Sequence, residues 1–160
     1  MVIRLLFFTI IFYSFNASYT IQAAHSTSKL GEIEFPTSGS GVAQNHFITG
    51  VAALHSFWYP EALQEFQKST KADPNFAMGY WGEAMAHNAP LWERQDSKSA
   101  KAALSKISDL SNLTQREQDY IQAVQLLYGE GEKTTRDKTY SKAMKKIYSK
   151  YPNDLEAACF

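Results

Sequence analysis

Thiol chemistry is almost missing from this chain. Cys159 is its single cysteine, so no intramolecular disulfide can form and a cysteine-rich zinc site is excluded. An excess of either charge is missing too. Lys+Arg and Asp+Glu are 16 each, which leaves no global field to attract nucleic acid or an anionic membrane. There is no serine in a nucleophile-elbow context, no phosphate-binding glycine loop and no Cys/His pair. Glu83 stands alone beside Trp81 and Gly82, and Glu61 and Glu65 fall on an exposed helix face, so no carboxylate pair offers acid/base work. The sequence therefore points away from an enzyme.

What is present is a chain of 160 residues, 44% hydrophobic, which is enough for one domain whose core is held by packing alone. The only long apolar run is at the start. "MVIRLLFFTIIFYSF" has one basic residue, Arg4, then apolar residues from Leu5 to Tyr13, with small residues at Ala17-Ser18 and Ala23-Ala24. That order is the layout of a secretory signal over residues 1–24. A membrane span needs about 20 predominantly apolar residues. This run dissolves into Ser14, Asn16, Ser18, Thr20 and Gln22, so cleavage and export, to a periplasmic or extracellular place, are expected over an uncleaved anchor. Residues 25–41, with Phe35-Pro36 and "TSGSG", read as a flexible arm leading into the domain.

From residue 42 to 160 the chain is helical by period. Phe47, Val51, Leu54 and Trp58 form one stripe, Tyr59-Pro60 breaks it, and Pro60 opens a second helix that buries Ala62, Leu63, Phe66 and Ser69. "ADPNF" ends that helix, with Asp73 as a cap for a third, "FAMGYWGEAMAHN". Aligning Gly50 with Ala84 places Phe47 on Trp81, Val51 on Met85 and His46 on Tyr80, an offset of 34 residues. Such a period, with two antiparallel helices per unit, marks a helical repeat. The small residue lets paired helices approach closely.

The next units are less regular. Asp96 is placed to cap a helix through "SKSAKAALSKISDL", after an extended loop at 88–95 that holds the extra residues of a longer offset. Thr114 and Glu117 make a capping box before Tyr120, Ala123, Val124 and Leu127. "GEGEKTT" at 129–135 reads as a turn before a helix with Tyr140, Ala143, Met144 and Ile147. Lys142, Lys145, Lys146 and Lys150 stripe that helix, as a solvated face or a contact for an acidic partner. "LEAACF" after "YPND" is too short for an isolated helix and lacks a polar cap, so a fragment or early stop of a longer array is expected.

Gly50, Tyr59, Ala62, Phe66 and Pro74 stand in the register of the tetratricopeptide repeat, which the chain resembles; Tyr80 and Ala84, then Tyr140, Ala143 and Ile147, continue it. More narrowly, residues 33–92 are similar to exported bacterial tetratricopeptide proteins of largely unassigned activity. Leu54–Tyr59, Ala77–Gly82 and Leu91-Trp92 are the most specific stretches of that likeness. Some members of that group carry cysteines where this chain has Gly39 and Phe76, so a disulfide there is lost. The resemblance implies an all-α, right-handed solenoid of stacked helix-turn-helix units, truncated at its C-terminus, that serves as a non-enzymatic scaffold for a protein or peptide.

In such arrays the first helix of each unit lines a concave surface. Carried onto this sequence, the lining residues are Gln44, Phe47, Val51, Leu54 and His55, then Met78, Trp81, Met85, Asn88 and Ala89. This apolar, aromatic surface suits an extended or helical peptide. The competing expectation is that Phe47 and Trp81 pack against a neighbouring helix or the arm. A second functional reading uses His46, His55, His87 and the methionines to hold a metal or cofactor. His46 and His55 are nine residues apart, outside ligand spacing on one helix, so no cofactor or metal is expected. A third reading is an inert piece of a longer repeat protein.

Overall fold

The computed structural model describes residues 30–160; the expected signal segment, 1–24, and the first part of the arm lie outside the described residues. Seven α-helices follow one another in the described part: α1 (Gly41–His55), α2 (Tyr59–Ala72), α3 (Ala77–Ala86), α4 (Ser97–Leu104), α5 (Gln115–Leu127), α6 (Lys133–Lys150) and α7 (Leu155–Cys159). Between α3 and α4 a two-stranded antiparallel ribbon, β1 (Asn88–Ala89) and β2 (Arg94–Gln95), closes around a short 3-10 turn at Pro90–Trp92. The all-α class is as the hydrophobic period predicts. Among the described residues no helix is long and apolar enough to cross a membrane.

Helix α1 buries Phe47, Val51 and Leu54 along the expected stripe. Trp58 does not join them. The helix stops at His55, and the Trp58 amide donates back to the Ala53 carbonyl at 2.9 Å while Phe57 takes φ 60, the left-handed closing position that glycine usually fills. That turn carries Trp58 out to the surface, where it is 47% exposed. Helix α2 then begins at Tyr59 with Pro60 in its first turn and buries Ala62, Phe66 and Ser69. The Ser69 hydroxyl donates to the Ala43 carbonyl at 2.7 Å, tying α2 to α1.

Phe66 explains why small residues stand where they do. A Cβ at Gly50 would come within 2.7 Å of its ring, and one at Gly82 would collide with the same ring from α3. The tight position on α3 is therefore Gly82, two residues before the Ala84 of the sequence alignment. Helix α3 is buried on every side, all ten residues of it, and packs against α1, α2, α4 and α5. Its buried Glu83 accepts from the Thr70 hydroxyl at 2.7 Å.

Several element ends differ from expectation. Asp73 does not cap α3; its carboxylate accepts from the Asn75 amide in a turn, and α3 starts at Ala77 behind Phe76. Asp96 does cap α4, accepting from the Ser99 amide at 3.0 Å. That helix nevertheless stops at Leu104 instead of running to Leu110. Ser and Asp side chains compete with helix formation there, and Asp109 binds the amide and hydroxyl of Ser111. The Thr114–Glu117 capping box of α5 is complete. Helix α6 starts at Lys133, inside the expected turn, and leaves Lys142, Lys145 and Lys146 in solvent, while the exposed Lys150 pairs with Asp119 of α5 at 2.7 Å. The terminal residues form the short α7, because tertiary contacts at Glu156, Ala157 and Phe160 supply what five residues lack alone.

Candidate functional site

Residues 30–40 are neither helix nor strand, but they are held tightly. Phe35 is inserted between the first, third and fifth helices, its ring 5.2 Å from Phe47, 5.6 Å from Trp81 and 5.1 Å from Tyr120, centroid to centroid. Side chains of α1 and α5 bind the arm's backbone around it. The Gln44 amide donates to the Phe35 carbonyl at 2.9 Å, Arg116 donates to the Pro36 carbonyl at 2.9 Å, and the Glu117 carboxylate accepts from the Ser38 amide at 2.7 Å. The Arg116 guanidinium also lies over the Phe35 ring, 4.4 Å from its centroid. At the arm's end, the Phe76 ring fills the space beside Gly39.

The arm covers part of the expected surface, with Phe35 packed on Phe47 and Trp81. Phe47, Val51, Met78 and Trp81 have essentially no exposed area, so in this structure they are core and do not line an open groove. Of the two expectations for Phe47 and Trp81, packing against the arm is the one observed. The physical reason is visible in Phe35: an apolar arm next to an apolar face buries both, and the aromatic contacts are better satisfied inside.

The other part stays open. Leu54, His55, Met85 and Asn88 line a cleft of about 410 Å³ together with Phe57, Tyr59, Tyr140 and the terminal Phe160. His55 Nε2 lies 2.6 Å from the Glu156 carboxylate, and its ring stacks on Phe160 with centroids 4.7 Å apart. Asn88 accepts from the Gln95 amide at 3.1 Å. Burial pushes the Tyr140 hydroxyl well above its usual range, so it remains a protonated donor near the Met85 sulfur. Lys133 and Asp137 pair at 2.6 Å on the cleft's rim. An apolar floor with an amide, an imidazole and a phenol around it can hold a side chain and orient a backbone.

Beside this cleft is a second cavity, of about 730 Å³, lined by Phe57, Tyr59, Leu63, His87, Trp92 and Asp96 among others. Trp92 stands edge-on to Tyr59 at 5.8 Å and to Phe57 at 6.4 Å. Sequence reasoning missed this cavity. Its signals were the aromatic residues after the end of the first stripe and the aromatic in the inserted stretch, which only the fold brings together.

Among the described residues, His46 is 2.7 Å from Glu65 and His55 2.6 Å from Glu156. Burial alone would raise the Glu65 carboxyl, but hydrogen bonds from Lys68 and His46 bring it below the ordinary range. His25 lies outside the described residues. Among the described residues no group of three or more His, Cys, Asp or Glu side chains is arranged to hold a metal ion. No protein-family model matches the chain, and no curated protein and no solved structure matches it either.

Proposed function

We propose that this chain is an exported, tetratricopeptide-like helical scaffold that binds a segment of a partner protein on the inner face of its odd-numbered helices, without chemistry of its own. One observation carries the reading. That face already holds a non-helical stretch of chain, the arm around Phe35, with aromatic rings around the side chain and Gln44, Arg116 and Glu117 for the backbone. This is how a surface reads an extended segment: a few pockets and directed hydrogen bonds. The stretch of the same face that the arm leaves uncovered is the cleft of Leu54, His55, Met85 and Asn88. The charged pair on its rim is self-satisfied, which favours binding over reaction. Export is supported by the basic, apolar, small order of residues 1–24, and the repeat reading by the 34-residue offset.

The test is selection of random displayed peptides against the full chain. Enriched peptides should bind, and Asn88→Arg, which puts a long charged side chain in the cleft's partly exposed lining, should weaken them about tenfold with helicity unchanged. A selection that enriches nothing, or peptides indifferent to Asn88→Arg, contradicts the proposal.

A further inference from the structure

Helix α6 gathers charge that the neutral chain as a whole conceals. Seven of the 16 basic residues and one of the 16 acidic ones fall within its 18 residues, a net of +6, and the rest of the chain carries −6. Three of the seven are engaged inside the molecule. Lys133 pairs with Asp137 at 2.6 Å and Lys150 with Asp119 at 2.7 Å, while Arg136 binds the carbonyls of Leu127 and Gly131 and the side chain of Gln95. Lys138, Lys142, Lys145 and Lys146 are exposed, and among the described residues no carboxylate pairs with them. They recur at i, i+4, i+7 and i+8, so four charges share one face along about 12 Å of helix axis. Like charges at these spacings repel and cost the helix stability. A face that had only to stay wet could interleave carboxylates, as Glu65 stands three residues before Lys68 on α2. Here nothing within the described chain relieves the repulsion, and an anionic surface outside it does.

We propose that this face of α6 docks the protein on a bilayer surface that carries anionic lipids. Residue type favours that partner over an acidic protein. Fixed carboxylates are read best by the forked, pre-organised guanidinium of arginine, and the helix's single arginine is already engaged within the fold. The four ammonium groups are point charges on flexible stems, and none is held in place by a hydrogen bond. They match charges that are themselves mobile, as laterally diffusing headgroups are, and basic clusters on helices bind anionic lipid in this way.

Apolar groups stand beside the lysines. Tyr148, 44% exposed, is three residues beyond Lys145 on α6. Leu126 of α5, also 44% exposed, lies with Lys142 and Lys146 along the shallow groove between the two helices. Leu126 gains nothing from a nucleic-acid backbone or a carboxylate surface, but it loses water at the level of lipid headgroups, where a phenol ring is also at home. No described helix is long and apolar enough to cross a membrane, so this contact is peripheral. None of the four lysines lines the cleft of Leu54 and Asn88. Bilayer and peptide therefore use separate surfaces, and this inference does not depend on the scaffold reading.

The experiment sediments the full chain with phosphatidylcholine vesicles prepared with and without phosphatidylglycerol. Whatever the apolar residues 1–24 contribute is common to both kinds, so the difference between them reads charge. Tighter binding to the phosphatidylglycerol vesicles is expected, falling as salt is added. Lys142→Gln/Lys145→Gln should weaken it about thirtyfold, with a melting temperature equal or higher because repulsion in the helix is relieved. Lys71→Gln/Lys98→Gln removes the same charge from exposed positions on α2 and α4 and should leave the binding nearly unchanged. Tyr148→Ser should weaken it severalfold without any change of charge. Equal binding to the two kinds of vesicle overturns the proposal, as does equal weakening by the two lysine pairs. Polyglutamate or duplex DNA that strips the protein from the vesicles at equal charge concentration also overturns it, and assigns the face to a soluble polyanion instead.

Discussion

Phe66 fills the gap between Gly50 on α1 and Gly82 on α3, and its ring leaves room for no side chain at either. The consequence is specific. Gly82→Ala should destabilise the fold by about 1–3 kcal/mol, the usual cost of forcing an extra carbon into a packed core. Gly129→Ala is the comparison, because a Cβ there meets the nearest backbone atom at 3.4 Å and needs no rearrangement. Thermal melting of the two variants checks this; equal melting temperatures contradict the packing described. Phe35 is the second residue on which much depends. Its ring packs on Phe47, Trp81 and Tyr120 together, so Phe35→Ala should cost about 3–5 kcal/mol, the range for a buried aromatic.

At the scale of elements, α5 and the turn before α7 hold the arm through one ion pair. Asp154 accepts from Arg116 Nε at 2.6 Å and from the Tyr120 hydroxyl at 2.9 Å. Burial alone would raise the Asp154 carboxyl, but the hydrogen bonds and charge from Arg116, with the Tyr120 hydroxyl, hold it below the ordinary range. The unfolded chain then binds more protons than the native one as pH passes through the acid range. Stability contributed by Asp154 is fully present above about pH 4 and is lost as pH falls below it. Melting temperatures between about pH 3 and about pH 6 should rise with pH in the native chain. The rise should be shallower in Asp154→Asn, which should also be less stable at the upper end, since a buried partner is left without its charge. An unchanged slope in Asp154→Asn would show that the pair does not link arm, α5 and α7.

The elements also show what a sequence makes legible. The cores of α1, α2 and α5 follow from apolar spacing, and the starts of α4 and α5 from Asp96 and from Thr114 with Glu117, because those signals are local. The end of α4 and the start of α6 were misplaced where side chains favouring turns compete evenly with helix. Trp58 was placed in the first stripe because spacing alone does not reveal that Phe57 takes the left-handed position. The short α7 packs on α6, and its Glu156 also meets His55, 101 positions away in the chain. Local pattern carries no trace of such pairs.

For the whole molecule, the expected groove divides in two. Phe47, Val51, Met78 and Trp81 are core, with Phe47 and Trp81 against Phe35 of the arm, while Leu54, His55, Met85 and Asn88 line a cleft. The apolar stripe of α1 is legible in its spacing; which of its residues the chain covers with its own arm is not, because the arm's docking depends on Gln44 of α1 and on Arg116 and Glu117 of α5. The most direct test is chemical-shift mapping by NMR on the isotopically labelled chain as a selected peptide is added. The account predicts shifts concentrated at residues 54–59 and 85–95, with the lysine face of α6 silent. Shifts centred on Lys142, Lys145 and Lys146 instead, with the cleft unperturbed, would contradict it.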